Sequence, residues 1–225
     1  MTLDGYFEGR RYPGRVIIIG NTREGRSAIA YAIMGRSQAS RNRTLVLDDE
    51  GTLKTVALDP VQDGQAQLLV YDAVRRQGDR IVVSNGSHTG LIHDTLASGG
   101  SLEDALMAMH AEPDEPHFTS RIAGLYDQLD RSCRLAIVRK EGDSETRVVY
   151  TYPAEDGYAH CIHTYLETDG QMLPPFTKDP ELVEVPSSLD GFADLLWNSL
   201  DPQTRVALFV QIGDESRIRS IADGD

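Results

Sequence analysis

The sequence predicts an α+β sandwich of stacked layers, and three observations point there. Short apolar or alternating runs of strand length recur both before and after the middle of the chain. The first two helical patterns, residues 90–97 and 101–110, sit together between those strand groups. Turn chemistry punctuates the runs without the strict strand–helix alternation that a parallel sheet needs.

Taken in order, Arg15–Gly20 reads as a buried strand through Val16-Ile17-Ile18-Ile19, Asn21–Arg26 as its turn and Ser27–Met34 as the return strand. Met1–Tyr12 is a polar lead of mixed charge, expected to be neither a signal peptide nor an anchor. Thr44–Leu47 and Thr52–Leu58 pair around Asp48-Asp49-Glu50-Gly51. Leu68–Tyr71 reads as a short strand or a helix start, and Arg80–Ser84 as a strand. A helix over about Gly90–Ala97 stops at Gly99-Gly100, and a second starts at Ser101, capped with Asp104 three residues on, and runs to about His110.

Prolines make Glu112–His117 a loop. Strands are predicted next at Arg121–Tyr126, Arg134–Lys140, Arg147–Tyr152 and Ala159–Leu166, then a Pro-rich connection, Leu173–Pro186. Ser188–Leu200 is an amphipathic helix with Phe192, Leu195, Leu196 and Leu200 at helical spacing, and Arg205–Ile212 is a strand. The acidic tail from about Gly213 is expected to be loose.

Composition bounds the function. A chain of 225 residues with 40% apolar and 25% charged residues suits one domain, 1–225, around a full core. No apolar run approaches the roughly 20 residues that span a bilayer, so a cytoplasmic protein with no membrane partner is expected. Cys133 and Cys161, inside alternating segments, are expected to be reduced and buried. The net charge of −13 argues against a nucleic-acid partner. Residues 1–43 nevertheless hold eight arginines against three acids, a net of +5 that leaves −18 for the rest. A basic island on an acidic protein can focus a small anion into one cleft.

Two segments carry the chemistry. Ser84-Asn85-Gly86-Ser87-His88-Thr89-Gly90 ends a strand with neutral hydrogen-bonding groups, a set suited to a small oxygen-rich ligand. Gly35–Arg43 places Arg36, Arg41 and Arg43 in one short stretch after an apolar run. Other patterns are decoys. Gly20–Ser27 approaches the phosphate-loop pattern but has Arg26 for its lysine, and the adjoining Ala28–Met34 suits a hairpin return. His160 and His163 point to opposite faces of a strand and do not converge on a metal; a core-facing Cys161 beside half-exposed histidines is expected. Thr2 would be a terminal nucleophile only after loss of Met1, and no strand comes directly after it.

The order GR-x-IIIG, AYAIMGRS, SRNR, the tyrosine of VYDAVR, VVSNGSHT and T-x-RIAG resembles the archaeal-type IMP cyclohydrolases over about residues 14–124. That resemblance implies an Ntn-hydrolase-like four-layer αββα sandwich, no obligatory metal or cofactor, and a homo-oligomer. It implies a reaction that closes the purine ring of 5-formamidoimidazole-4-carboxamide ribonucleotide (FAICAR) to give IMP. By it, Arg43, Tyr71 and Glu112 are the catalytic candidates. Asn85, Ser87, His88 and Thr89 would line the nucleotide pocket, and Arg36 and Arg121 are candidates for the phosphate. The chain departs from the family at Gln38-Ala39-Ser40-Arg41 and at Asp72, where an added arginine and a lost aromatic could reshape the base pocket. A purine-nucleotide-binding homologue without cyclohydrolase activity, and an Ntn-type amide hydrolase, are the rival readings.

Overall fold

The computed structural model describes residues 1–60, 69–166 and 173–223. Two antiparallel sheets form its centre. The first has six strands, in the order β11-β10-β1-β2-β12-β13, and the second is a seven-stranded meander from β3 to β9. Strands β1 (Arg15–Asn21) and β2 (Ser27–Met34) form a hairpin in the middle of the first sheet, with Ile17 opposite Tyr31 and Ile19 opposite Ile29. Both are buried along their whole length, because each face is covered. This explains a sequence that is apolar throughout rather than alternating. Ile17, Ile19, Ile29, Tyr31 and Ile33 face the second sheet, while Val16, Ile18, Ala28, Ala30 and Ala32 face helices.

β10 (Tyr158–His163) and β11 (Glu181–Glu184) flank β1, and β12 (Arg205–Ile212) and β13 (Glu215–Ser220) flank β2. The meander comprises β3 (Thr44–Leu47), β4 (Leu53–Val56), β5 (Asp72–Gln77), β6 (Arg80–Ser84), β7 (Arg121–Asp127), β8 (Cys133–Glu141) and β9 (Ser144–Tyr152). Its inward residues, among them Leu53, Val74, Ile81, Val83, Ile122 and Ile137, complete the core between the sheets.

Helices cover the outer faces. α1 (Leu3–Phe7) and α5 (Leu189–Ser199) pack on the first sheet through Leu3, Phe7, Phe192, Leu196 and Trp197. Each large side chain so buried contributes about 1.5–3 kcal/mol. α3 (His88–Ala97) and α4 (Leu102–Met107) pack on the second through Ile92, Leu96, Leu102 and Leu106. The Ser101 cap forms as expected: Ser101 Oγ accepts from the Asp104 amide at 3.1 Å, and Asp104 Oδ2 accepts from the Ser101 amide at 2.9 Å. A short α2 (Gln38–Arg41) is capped in the same way by Ser37.

Four expectations need correction. The polar lead contains α1, whose Leu3, Tyr6 and Phe7 are buried; five residues are too few to display helical periodicity. The tail beyond Gly213 is an ordered edge strand, β13, paired with β12 from Ile212–Glu215 to Ala207–Ser220. The strand near Tyr71 begins at Asp72, with Leu69 helical and Leu68 outside the described residues. The Pro-rich connection includes the short β11. Cys133 and Cys161 are free and buried. Among the described residues no helix is long and apolar enough to cross a membrane.

Candidate active site

A cleft of about 420 Å³ opens where the start of β1, the β2–β3 connection, the loop after α4 and the segment after β10 meet. Arg15, the first residue of β1, is buried on its floor beside Arg43, which comes after α2 and is only 1% exposed. Arg43 Nε donates to the Ser40 carbonyl at 3.0 Å. Arg43 Nη1 and Arg15 Nε are shielded from water and have no hydrogen-bond partner among the described residues. Burial and the neighbouring Arg15 charge depress the Arg43 pKa. Burial also works against a charge on Arg15, but Tyr71, Glu112 and Tyr31 outweigh it and hold that guanidinium above its ordinary value.

Beneath the two arginines, Tyr31 of β2 and Tyr71 just before β5 join their hydroxyls at 2.7 Å, across the two sheets. Tyr71 is fixed from behind, since its amide donates to Thr55 Oγ1 at 2.9 Å and its carbonyl accepts from the Thr55 amide at 2.9 Å. Burial, then the neighbouring Tyr71, pushes the Tyr31 hydroxyl well above the ordinary tyrosine range, so it remains a neutral donor and acceptor.

Glu112 forms one wall, 4% exposed, with its amide bonded to the Thr119 carbonyl at 3.1 Å. Burial raises its carboxyl pKa, while Arg15 and Arg121 pull it back. A carboxyl balanced in this way can exchange protons nearer neutral pH than a free one. At the mouth, Arg36 is exposed and stacks 4.8 Å over the Tyr12 ring, and Tyr12 in turn stacks on Tyr165 at 5.9 Å. Tyr165 comes this close because Gly14, at φ +85°, has no side chain: a Cβ there would lie 2.7 Å from the Tyr165 ring. Tyr165 Oη is 2.5 Å from Thr119 Oγ1, which also bonds Asp114.

Of the sequence-predicted residues, Arg36, Arg43 and Glu112 line the cleft, and Tyr71 lies under it within electrostatic range of Arg15 and Arg43. The others are elsewhere. Asn85, Ser87, His88 and Thr89 do not line it. Asn85 Oδ1 accepts from the Ile122 amide at 2.7 Å and its Nδ2 donates to the Ser120 carbonyl at 3.0 Å, tying the end of β6 to β7. Thr89 Oγ1 bonds Ser84 and the Gly86 carbonyl, and Ser87 is exposed at the start of α3. Arg121 stands behind Glu112, its Nη1 3.7 Å from Oε1. Arg41 donates to the Gln203 carbonyl at 2.6 Å and does not line the cleft, whereas Ala39 and Ser40 of the same departing segment do.

The sequence reading missed Arg15, Tyr31, Tyr12 and Tyr165. Arg15 had a signal, being the one charge that opens a strand otherwise apolar from Val16 to Ile19. The decoys resolve as structure. Gly20–Ser27 spans the end of β1, the hairpin turn and the first residue of β2. His160 stacks on Tyr152 at 3.4 Å between the sheets. His163 is buried rather than half-exposed, because α1 covers it and Tyr6 Oη lies 2.8 Å from its Nε2. Thr2 lines a different recess, with Glu184 and Leu195.

Comparison with known proteins places the chain in a family. A family model described as IMP cyclohydrolase-like protein matches residues 12–217. The IMP cyclohydrolase of Methanococcus aeolicus is 27% identical over 181 residues, which cover 76% of this chain and 84% of that protein. That of Methanocella arvoryzae is 30% identical over 161 residues, 70% of this chain and 75% of that one. With the Methanocaldococcus jannaschii enzyme the match is 31% over 119 residues, 52% of this chain and just over half, 57%, of that one. With a model that spans nearly its whole length, the chain belongs to the IMP cyclohydrolase-like protein family.

Proposed function

We propose that this protein is an IMP cyclohydrolase, which closes the ring of FAICAR with loss of water. The observation that carries the reading is the pair of buried guanidinium donors without a partner among the described residues, Arg15 Nε and Arg43 Nη1, set between a tyrosine pair and a buried carboxyl. The relatives named above carry that activity in their names.

The chemistry asks for little else. The carboxamide nitrogen attacks the formyl carbon, a C–N bond forms, and a proton passes from that nitrogen to the formyl oxygen. The carbinolamine then loses its hydroxyl as water, together with the proton of the former formamido nitrogen, and the C=N bond completes the ring. Arg43, with Arg15, stabilises the charge that grows on the formyl oxygen. Tyr71, oriented by Tyr31, donates a hydrogen bond to the same oxygen. Glu112 takes the proton from nitrogen and returns one to the departing hydroxyl. Arg36 at the mouth is placed to meet the phosphate. Arg121 stands behind Glu112, bonded to the His110 carbonyl and His88, which favours Arg36 over it.

The layering helix–sheet–sheet–helix supports an Ntn-hydrolase-like sandwich, read as one domain over 1–225. We assign the protein to the cytoplasm, as a homo-oligomer that needs no added cofactor. Purified protein incubated with FAICAR should produce the ultraviolet absorbance of IMP. Intact nucleotide binding without turnover would leave only the binding-module reading.

A further inference from the structure

We propose that His88 is a positioning residue whose Nδ1 holds the Arg121 guanidinium back from Glu112, leaving that carboxyl free to take up and release a proton. The role in catalysis rests on the ring closure proposed above; the geometry does not. His88 Nε2 donates to the Ile122 carbonyl at 3.1 Å, which fixes the tautomer and leaves Nδ1 as a lone-pair acceptor. Arg121 Nη1 donates to that Nδ1 at 3.1 Å, and Arg121 Nε donates to the His110 carbonyl at 2.8 Å. The same Nη1 stops 3.7 Å from Glu112 Oε1, outside hydrogen-bond reach.

Gly86 makes the convergence possible. A Cβ at that position would lie 2.8 Å from Arg121 Nη1, 3.1 Å from His88 Nδ1 and 3.3 Å from Glu112 Oε1. Its absence gives the SNGSHT block a purpose that ligand binding does not supply: the block shapes the back of the Glu112 wall.

Burial and the Arg121 charge push the His88 pKa down to about 3, so its acceptor persists throughout the physiological range. Glu112 faces Arg15 from β1, Arg43 from the β2–β3 connection, Arg121 from β7 and Asp114 from its own loop. Burial and Asp114 raise its pKa, and the three arginines lower it. Of these, Arg121 Nη1 is divided between a neutral acceptor and the carboxylate. Without that acceptor it would close to a charge-assisted bond of about 2.8 Å, and the carboxyl would titrate lower.

The test compares His88→Leu, which cannot accept, with His88→Asn, whose amide oxygen can stand in for Nδ1. The carboxyl of Glu112 is followed by carbon-13 NMR on the full-length protein without substrate, its signal assigned by its loss in Glu112→Gln. His88→Leu should lower the titration midpoint by about one pH unit. On FAICAR it should lose about tenfold in kcat near neutral pH, with KM within about twofold. His88→Asn should return both toward the parent values. An unchanged midpoint in folded His88→Leu overturns the proposal. If His88→Leu does not fold, His88→Ala takes its place: a lowered midpoint supports the role, and a midpoint at the parent value overturns it. The NMR readout needs no turnover, so a protein inert toward FAICAR would remove the cyclohydrolase reading and leave this test standing.

Discussion

Two clusters of buried polar groups in this molecule use their donors in opposite ways. In the Ser84–Thr89 block, Asn85, His88 and Thr89 all bond partners within the chain. On the cleft floor, Arg15 Nε and Arg43 Nη1 are just as hidden from water and bond nothing among the described residues. Buried donors are almost always satisfied in native proteins, and exceptions concentrate where a ligand completes the set. On the proposed function, the contrast separates residues that hold the fold from residues held ready for a substrate. It also reverses the first impression from sequence, where the Ser-Asn-Gly-Ser-His-Thr segment looked like the ligand site and Arg15 like the polar start of a strand.

The sharpest way to break the contrast is Arg43→Met. On FAICAR the rate should fall about 10²–10³-fold, the usual consequence of losing a donor to a developing oxyanion. The melting temperature should not fall, because a buried charge lacking full partnership leaves with the side chain. A retained rate, or a lost fold, would dissolve the distinction. Asn85→Ala is the mirror experiment. It strands the Ile122 amide and the Ser120 carbonyl, so chemical denaturation should show a loss of about 2–3 kcal/mol. Turnover per folded molecule should stay within about threefold of the parent.

Tyr71→Phe stands between these extremes. It should lose about tenfold in kcat, and leaving Tyr31 Oη without its partner should cost about 1 kcal/mol in unfolding experiments. Glu112 gives a test by pH. Its folded-state pKa lies above the ordinary 4.5, so the native state binds the extra proton and stability falls as pH rises from 4.5 through the folded value. Glu112→Gln should flatten that decline, measured as unfolding free energy against pH; an unaltered slope would mean that the carboxyl is not held up by burial. The smallest effect is expected at Arg41→Ala, within about twofold in kcat and KM, since this arginine serves the Gln203 carbonyl.

Much of this fold was legible because its central strands write their burial directly. Val16–Ile19 and Ala28–Met34 are apolar on both faces, and the turn between them leaves one pairing. What escaped was amphipathic only in three dimensions. β13, Glu-Ser-Arg-Ile-Arg-Ser, is an edge strand with one face toward solvent, and its charges resemble a tail. β11 is hidden between prolines. In the site, Arg43 and Glu112 were legible through a family pattern, whereas Tyr12, Tyr31 and Tyr165 were not. A tyrosine in an apolar run carries no mark of whether its hydroxyl meets another hydroxyl or nothing.

The Tyr31–Tyr71 bond is a polar link between the two layers directly below the cleft. Sheets packed through aliphatic side chains can slide a little at small cost, but a 2.7 Å contact between hydroxyls does not stretch far. Any core substitution that widens the sandwich near Ile17 or Ile33 must therefore tilt Tyr71, although neither isoleucine lines the cleft. The spacing between the layers would thus act as a gauge for the proposed reaction centre, and repacking deep in the molecule should register as altered catalysis before it registers as unfolding.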